Sequence, residues 1–497
     1  MTQLEQFRHL VKEIKSYQYV LNVLGWDSET EAPRDSFGHR ADMLATIGAE
    51  LFRRSTSQEY QDVVNALFAD REQLDPTTAR EIGRAKKELD KIVKIPEADF
   101  VGYQKLLNLT QIVWEDAKAN SDYASFKNNL AEIFAYQKKF IGFYGLTAAP
   151  YDVLLDEFED GMTMAEYDRF FDLLKRELVP FARKILQVRK NHADPFAGKN
   201  FPQVRQEEFT NYLLDVMKFD KNRGLIKKSV HPFTWHTSPV DVRLTTRYME
   251  NDPFYSIYST IHELGHATYE QQIDTAWSDT LISGGTSMGI HESQSRMYEN
   301  TLGRSRAFWS KHLPKLRSLF PGQLRGVTLD DIVYAANRVE ASLIRTEADE
   351  LTYSLHIMVR YDIERLLISG NLTVDELPTK WNELMSSYLG VTPKNDAEGV
   401  LQDVHWSAGL IGYFPTYALG SAYAAQIYRT MEKDLNIDKI LRSGDMTPIN
   451  AWLKERIHCF GGSKSPQQLL QDVTGEQFDA RYYVEYLKTK YTALYLK

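Results

Sequence analysis

Apolar residues recur at threes and fours from the start of the chain: Leu4, Phe7, Leu10, Val11, Ile14, Tyr17, Leu21 and Leu24. That is the period of a helix with one buried face, and the first 145 residues read as helical throughout. The pattern breaks at Gly25-Trp26 and at Ala32-Pro33. Further helices are predicted over about 35–52, 77–93, 97–118 and 125–144, with Pro96 separating the middle pair and Gly145 ending the last. Thr163-x-x-Glu166 is a capping box opening a helix to about 189, 191–202 reads as a loop, and 206–218 returns to helix. Helices are predicted again over 287–301, 303–320, 329–337, 345–368, 374–388 and 413–428. Only 241–248, alternating and rich in β-branched residues, reads as a strand. The prediction is an all-α fold with a small β element, one unit over 1–497 with no repeat or linker.

Charge and cysteine usage narrow the function. A net charge of -9 argues against nucleic acid as a partner. The basic run Lys218, Lys221, Arg223, Lys227 and Lys228 reads as a solvated loop, and the acidic run Asp152, Asp156, Glu157, Glu159 and Asp160 as a solvated segment. The single cysteine, Cys459, permits no internal disulfide and fits a reducing compartment. The first 17 residues carry charges and no apolar signal-peptide core, and no run of apolar residues is long enough to span a membrane. A soluble cytoplasmic protein is expected.

The chemistry centres on His262-Glu263-Leu264-Gly265-His266. Histidines four apart share one face of a helix and can point at one metal ion. Glu263, about 100° further round, lies beside that ion, where it can take a proton from an attacking water. With 12 His and 68 acidic residues in the chain, roughly 0.02 such motifs arise by chance. The strand at 241–248 immediately precedes this helix and is a place where an extended peptide can add as another strand.

A catalytic zinc ordinarily takes three protein ligands. Glu270 continues the histidine stripe but sits about 6 Å beyond His266 along the axis, too far for a tetrahedral site. A ligand from a crossing helix fits better. Glu292, in His291-Glu292-Ser293-Gln294, is the first candidate and Glu299 the second, with a surface position for both still open.

At this point the chain resembles the carboxypeptidase Taq family of zinc metallocarboxypeptidases. The resemblance rests on the H-E-x-x-H helix with, in family order, His231-Pro232-Phe233, Asp241-Val242-Arg243-Leu244-Thr245, His291-Glu292-Ser293-Gln294, Ile344-Arg345-Thr346-Glu347-Ala348-Asp349 and Gly399-Val400-Leu401-Gln402-Asp403-Val404-His405-Trp406. It covers nearly the whole length. It implies a helical fold around a long deep groove, like that of neurolysin and angiotensin-converting enzyme, with an N-terminal lobe of about 1–200 and catalytic motifs within 231–413. It implies a cytoplasmic homodimer that removes single residues from peptide C-termini with broad specificity. Zinc is the implied metal, with cobalt or manganese able to substitute. By motif, His262, His266 and Glu292 are the implied ligands and Glu263 the base. Arg345 is the implied anchor for the substrate's terminal carboxylate, His231 lines the site, and His405 supports the transition state.

These roles suit the side chains. A tetrahedral oxyanion needs donors besides the metal, which His405 and a tyrosine, Tyr413, can supply. A terminal carboxylate is best met by a planar guanidinium, for which Arg345 and Arg243 are the candidates, with Gln294 as a further substrate contact. Asp349, four after Arg345, is placed to pair with it on one helix face, and Asp403 is placed to orient His405. Two rival readings are an endopeptidase or dipeptidyl carboxypeptidase on a similar groove, and a peptide-binding protein that keeps the metal as structure. The intact Glu263 counts against the second.

Overall fold

The first helix, Gln3–Thr30, runs through Gly25 and Trp26 without a break. One glycine costs a helix only about 1 kcal/mol against alanine, and Trp26 is buried with its ring edge on Phe233. The break falls at Pro33 instead. Helices Phe37–Ser55, Pro76–Val93, Glu97–Asn120 and Tyr123–Tyr144 follow the predicted spacing. Between the first two lies one that periodicity missed, Gln58–Ala69, capped by Ser57. The Thr163 capping box is present and opens Met164–Leu186.

The computed structural model describes residues 1–145, 149–188 and 194–497. The predicted helix end at 189 and the start of the loop at 191 lie outside these. The chain forms two compact units. One comprises Met1–Val93, Ala193–Ala336 and Ile427–Gln477, the other Lys94–His192, Asn337–Gln426 and Phe478–Lys497.

The first unit has a core of Phe7, Val11, Ile14, Tyr60, Val63, Val64, Leu67, Ile82, Ala85 and Leu89, drawn from three helices. It also holds a sheet of β1 (Gly224–Lys228), β2 (Thr234–Ser238) and β3 (Asp241–Thr246), in the order β1-β3-β2. The predicted strand is the central one, parallel to β1 with Gly224 opposite Val242, and antiparallel to β2 with Thr234 opposite Leu244. Both its edges are therefore taken, and a peptide cannot add to β3. Lys227 and Lys228 belong to β1 and not to a loop. Long lysine stems tolerate an edge strand because the charge still reaches water. Val242 and Leu244 are fully buried against helix Pro253–Gln272.

In the second unit, helix Glu350–Ser369 is buried on most of its surface among Tyr123–Tyr144, Pro150–Phe158, Met164–Leu186 and Leu377–Leu389. Arg345 does not belong to this helix. It lies in a short 3-10 turn, Arg345–Glu347, and the helix starts at Asp349, whose carboxylate caps the amides of Leu351 and Thr352. The acidic run is more structural than expected: Glu159 is fully buried, and Asp152 and Asp156 accept from the amides of Met164 and Gly161. Among the described residues no helix is long and apolar enough to cross a membrane.

Candidate metal centre

Helix Pro253–Gln272 begins at Asp252, whose side chain accepts from the Phe254 amide, with Pro253 in the first turn. Ile257, Ile261, Leu264 and Ala267 bury one face. His262 and His266 occupy another, with side chains 19% and 16% exposed. Gly265 sets what can approach them. A Cβ there would stand 2.6 Å from Ser295 Cα and 2.7 Å from the Gln294 carbonyl oxygen. Without one, helix Met288–Arg296 comes close enough to deliver Glu292.

Glu292 Oε2 lies 3.7 Å from His262 Nε2 and 3.5 Å from His266 Nε2, and the three ligand atoms lie within 4.8 Å of one another. Nitrogen and oxygen ligands of a tetrahedral ion, each about 2.0–2.2 Å from it, stand roughly 3.3–3.6 Å apart. The donor set and spacing therefore fit a single ion such as zinc. Both far nitrogens are already engaged: His262 Nδ1 with Glu299 Oε2 at 2.9 Å and His266 Nδ1 with His291 Nδ1 at 2.6 Å. Glu292 Oε1 accepts from Arg296 Nε at 2.6 Å, and Oε2 from the Ser295 hydroxyl at 3.0 Å.

Glu299 thus holds His262 from behind and does not join the ligand cluster. It lies in a π-helical stretch, Met297–Gly303, that continues the Glu292 helix. Glu270, as its axial rise predicts, stays clear of the cluster, and its Oε1 meets His291 Nε2 at 2.7 Å. Periodicity gave no role to His291 or Thr234. The signal for His291 was its place beside Glu292 in the motif.

Glu263 is 6% exposed, and its Oε2 accepts from the Thr234 hydroxyl of β2 at 2.6 Å. Burial raises its pKa above the usual carboxylate value, although His262 and that hydrogen bond oppose the shift. Burial also works against the charge of Glu292, but Arg296 and the two histidines hold its pKa well below the usual range. His266 is pushed down to about 3, chiefly by burial. A neutral imidazole beside an ionised carboxylate is the state a metal needs of its ligands.

The remaining predicted residues divide between the units. In the first, His231 is exposed, and its carbonyl accepts from the Ser229 hydroxyl. Arg243 donates through Nε and Nη2 to Asp241 at 2.7 and 2.8 Å. Gln294 is fully buried, its amide donating to Ser293 Oγ and its Oε1 meeting His458 Nε2.

In the second unit, Arg345 is 6% exposed. Its Nε and Nη2 donate to Asp403 Oδ1 at 2.9 and 2.8 Å and its Nη1 to the Tyr353 hydroxyl at 3.1 Å. The predicted Asp349 pairing is replaced by this one. Asp403 Oδ2 is taken by Arg360, at 2.8 and 2.6 Å. Asp403 therefore serves the two arginines and does not orient His405. His405 instead meets the Tyr417 hydroxyl through Nε2 at 3.2 Å and packs its ring on Phe414 and Tyr413. Its Nδ1 is buried without a hydrogen-bond partner among the described residues. Burial and Arg345 push its pKa down to about 3.

Sites of this kind cleave bonds by polarising a carbonyl next to a base, which places the chain among the HExxH metal hydrolases. Comparison with known proteins narrows the class. Residues 6–491 match the family described as Carboxypeptidase Taq (M32) metallopeptidase. The chain is 41% identical to "Carboxypeptidase 1" of Bacillus subtilis (strain 168) over 493 residues, 99% of this chain and 98% of that one. It is 36% identical to "Thermostable carboxypeptidase 1" of Thermus thermophilus over 482 residues, 95% and 94% of the two chains. The crystal structure of the M32 carboxypeptidase from Deinococcus radiodurans R1 superposes with a TM-score of 0.96 at 33% identity, covering 100% of both chains. The chain belongs to the carboxypeptidase Taq (M32) family and is a metal-dependent carboxypeptidase.

Proposed function

We propose that this enzyme is a zinc carboxypeptidase that releases single residues from peptides with a free C-terminal carboxylate, with His262, His266 and Glu292 holding the ion and Glu263 as the base. The observation that carries the ligand assignment is the placement of Glu292 Oε2 against the Nε2 atoms of both histidines while Glu299 and His291 engage their far nitrogens. A bound divalent ion supplies Lewis acidity that polarises the scissile carbonyl and acidifies water. Glu263 takes the proton from the attacking water and passes it to the leaving amine. Its Thr234 hydrogen bond fixes the carboxylate for both transfers.

Arg345 anchors the terminal carboxylate. Support comes from its motif and from its fixed fork: Asp403 and Tyr353 take three of its N–H groups, leaving two of a guanidinium's five donors for substrate. His405, neutral and with Nδ1 lacking a partner among the described residues, donates to the tetrahedral oxyanion, with Tyr413 beside it and His231 at the substrate. The family resemblance further supports one catalytic entity over the whole chain, with an N-terminal lobe, broad specificity, a homodimer, a cytoplasmic setting and activity with cobalt or manganese.

The test is one mid-length peptide in free-acid and C-terminally amidated forms, incubated with zinc-loaded enzyme and followed by mass spectrometry. A ladder of single-residue losses from the free acid alone is expected. Internal cleavage of both forms makes the enzyme an endopeptidase and removes Arg345 from its role.

A further inference from the structure

The two histidines of the metal helix are held by different means. His262 leans directly on a carboxylate, Glu299. His266 leans on another imidazole, His291, which in turn reaches Glu270. We propose that His291 and Glu270 form a relay that positions His266 and fixes which of its nitrogens faces the metal. The inference rests on the assignment of His266 as a ligand.

The direction of the relay follows from the donor inventory. Two imidazole nitrogens 2.6 Å apart must be one donor and one acceptor. An ionised Glu270 can only accept, so the proton between it and His291, across 2.7 Å, sits on His291 Nε2. If His266 ligates through Nε2, its proton sits on Nδ1 and is donated to His291 Nδ1. That leaves its lone pair on Nε2, the atom 3.5 Å from Glu292 Oε2. Ligation through His266 Nε2 and the buried carboxylate at the far end thus give both links the same direction.

The surroundings are built to hold this arrangement. Glu270 is fully buried, and its Oε1 also accepts from the Gly285 amide at 3.1 Å. Its Oε2 faces His236 Nε2 at 3.5 Å. The His291 ring lies 4.7 Å from that of His266 and 5.1 Å from Tyr269, centre to centre. A Cβ at Gly285 would come within 2.7 Å of His291 Cδ2 and 2.9 Å of Tyr269 Cε1, so the glycine is what admits the ring. The distance that bars Glu270 from ligating, one helical turn beyond His266, is the distance an interposed imidazole spans.

The test uses the full-length protein stripped of metal. Zinc affinity is measured by competition with a chromophoric chelator, and the visible spectrum is recorded with cobalt, for wild type, Glu270→Ala, Glu270→Gln, His291→Phe, the Glu270→Ala/His291→Phe double variant and His266→Ala. Thermal midpoints of the metal-free proteins report on folding. Glu270→Ala and His291→Phe are each expected to weaken zinc binding by about tenfold to a hundredfold and to alter the cobalt spectrum. The double variant should lose no more than either single one, because a relay is broken once. Glu270→Gln should recover most of the affinity, since its amide oxygen still accepts from His291. If Glu270→Ala unfolds for want of an acceptor for Gly285, His291→Phe leaves that bond intact and decides alone. Zinc affinity in His291→Phe within about twofold of wild type, or losses that multiply in the double variant, overturns the relay. Unchanged affinity in His266→Ala overturns the ligand assignment itself.

Discussion

Glu263 and Arg345 make opposite demands on their surroundings, and each can be tested by one substitution. Glu263 needs a lone pair, which an amide of the same shape cannot offer a proton. Glu263→Gln should retain the metal at full stoichiometry while kcat/KM falls by about 10²–10⁴, measured by metal analysis beside peptide hydrolysis. Arg345 needs a rigid fork, which depends on Asp403. The three side chains of the Arg345–Asp403–Arg360 cluster are 8%, 9% and 0% exposed. Removing the shared charge leaves two buried guanidinium groups facing each other, so Asp403→Asn should cost about 3–5 kcal/mol in denaturant unfolding. The pH dependence has a definite sign. Despite burial, Arg360 and Arg345 hold the Asp403 pKa far below its usual value, so the folded state favours the ionised form. The gap in stability between wild type and Asp403→Asn should therefore be full above about pH 4 and shrink only in stronger acid. The histidine pair and Glu263 were legible because one helical turn specifies them. The partner of Arg345 was not: Asp403 is 58 positions away, while Asp349, four positions on, offered a local pairing that the chain uses as a helix cap. For Gln294 and Arg243 too the motif names the residues but not the partners they hold, which are His458 and Asp241.

Between elements, the decisive contact is the crossing of the two helices that carry the ligands. Gly265 occupies a variable position of the H-E-x-x-H motif, so nothing in that pattern marks it, yet the backbone of Ser295 and Gln294 fills the space its side chain would need. Gly265→Ala should force the helices apart, lowering stability by about 1–3 kcal/mol. It should also weaken zinc binding, because Glu292 moves with its helix. Unfolding curves and chelator competition measure the two effects, and full affinity alongside lost stability would mean the crossing does not position Glu292. Long amphipathic helices and the Thr163 capping box were read correctly because their signals are local and repeated. The β1 and β2 strands were missed for the converse reason. Each has five residues, and neither is buried on both faces. Their pairing with β3 is a property of tertiary contact, and the lysines of β1 look like loop until a neighbouring strand is known.

Across the molecule, the chain passes back and forth between two units, each assembled from three separate segments. A sequence reading finds domains by their linkers, and the passages here carry none. The helical character was visible throughout, but the partition was not, because it depends on which apolar faces meet. The partition bears on what the metal does for the fold. All three proposed ligands belong to the first unit, whose core from Phe7 to Leu89 contains none of them. Their far nitrogens and outer oxygens are held by Glu299, His291 and Arg296 without help from an ion. Chelation should therefore abolish hydrolysis and leave the far-ultraviolet circular dichroism unchanged. Readding zinc at about a thousandfold over its Kd should raise stability by about 4 kcal/mol through linkage alone. Hydrogen exchange locates that gain. Protection should rise in Pro253–Gln272, Met288–Arg296 and Met297–Gly303 when the ion binds, with little change across the Phe7–Leu89 core. A loss of protection throughout that core on chelation would mean that the ion organises the unit and does not merely occupy a site the fold has already built.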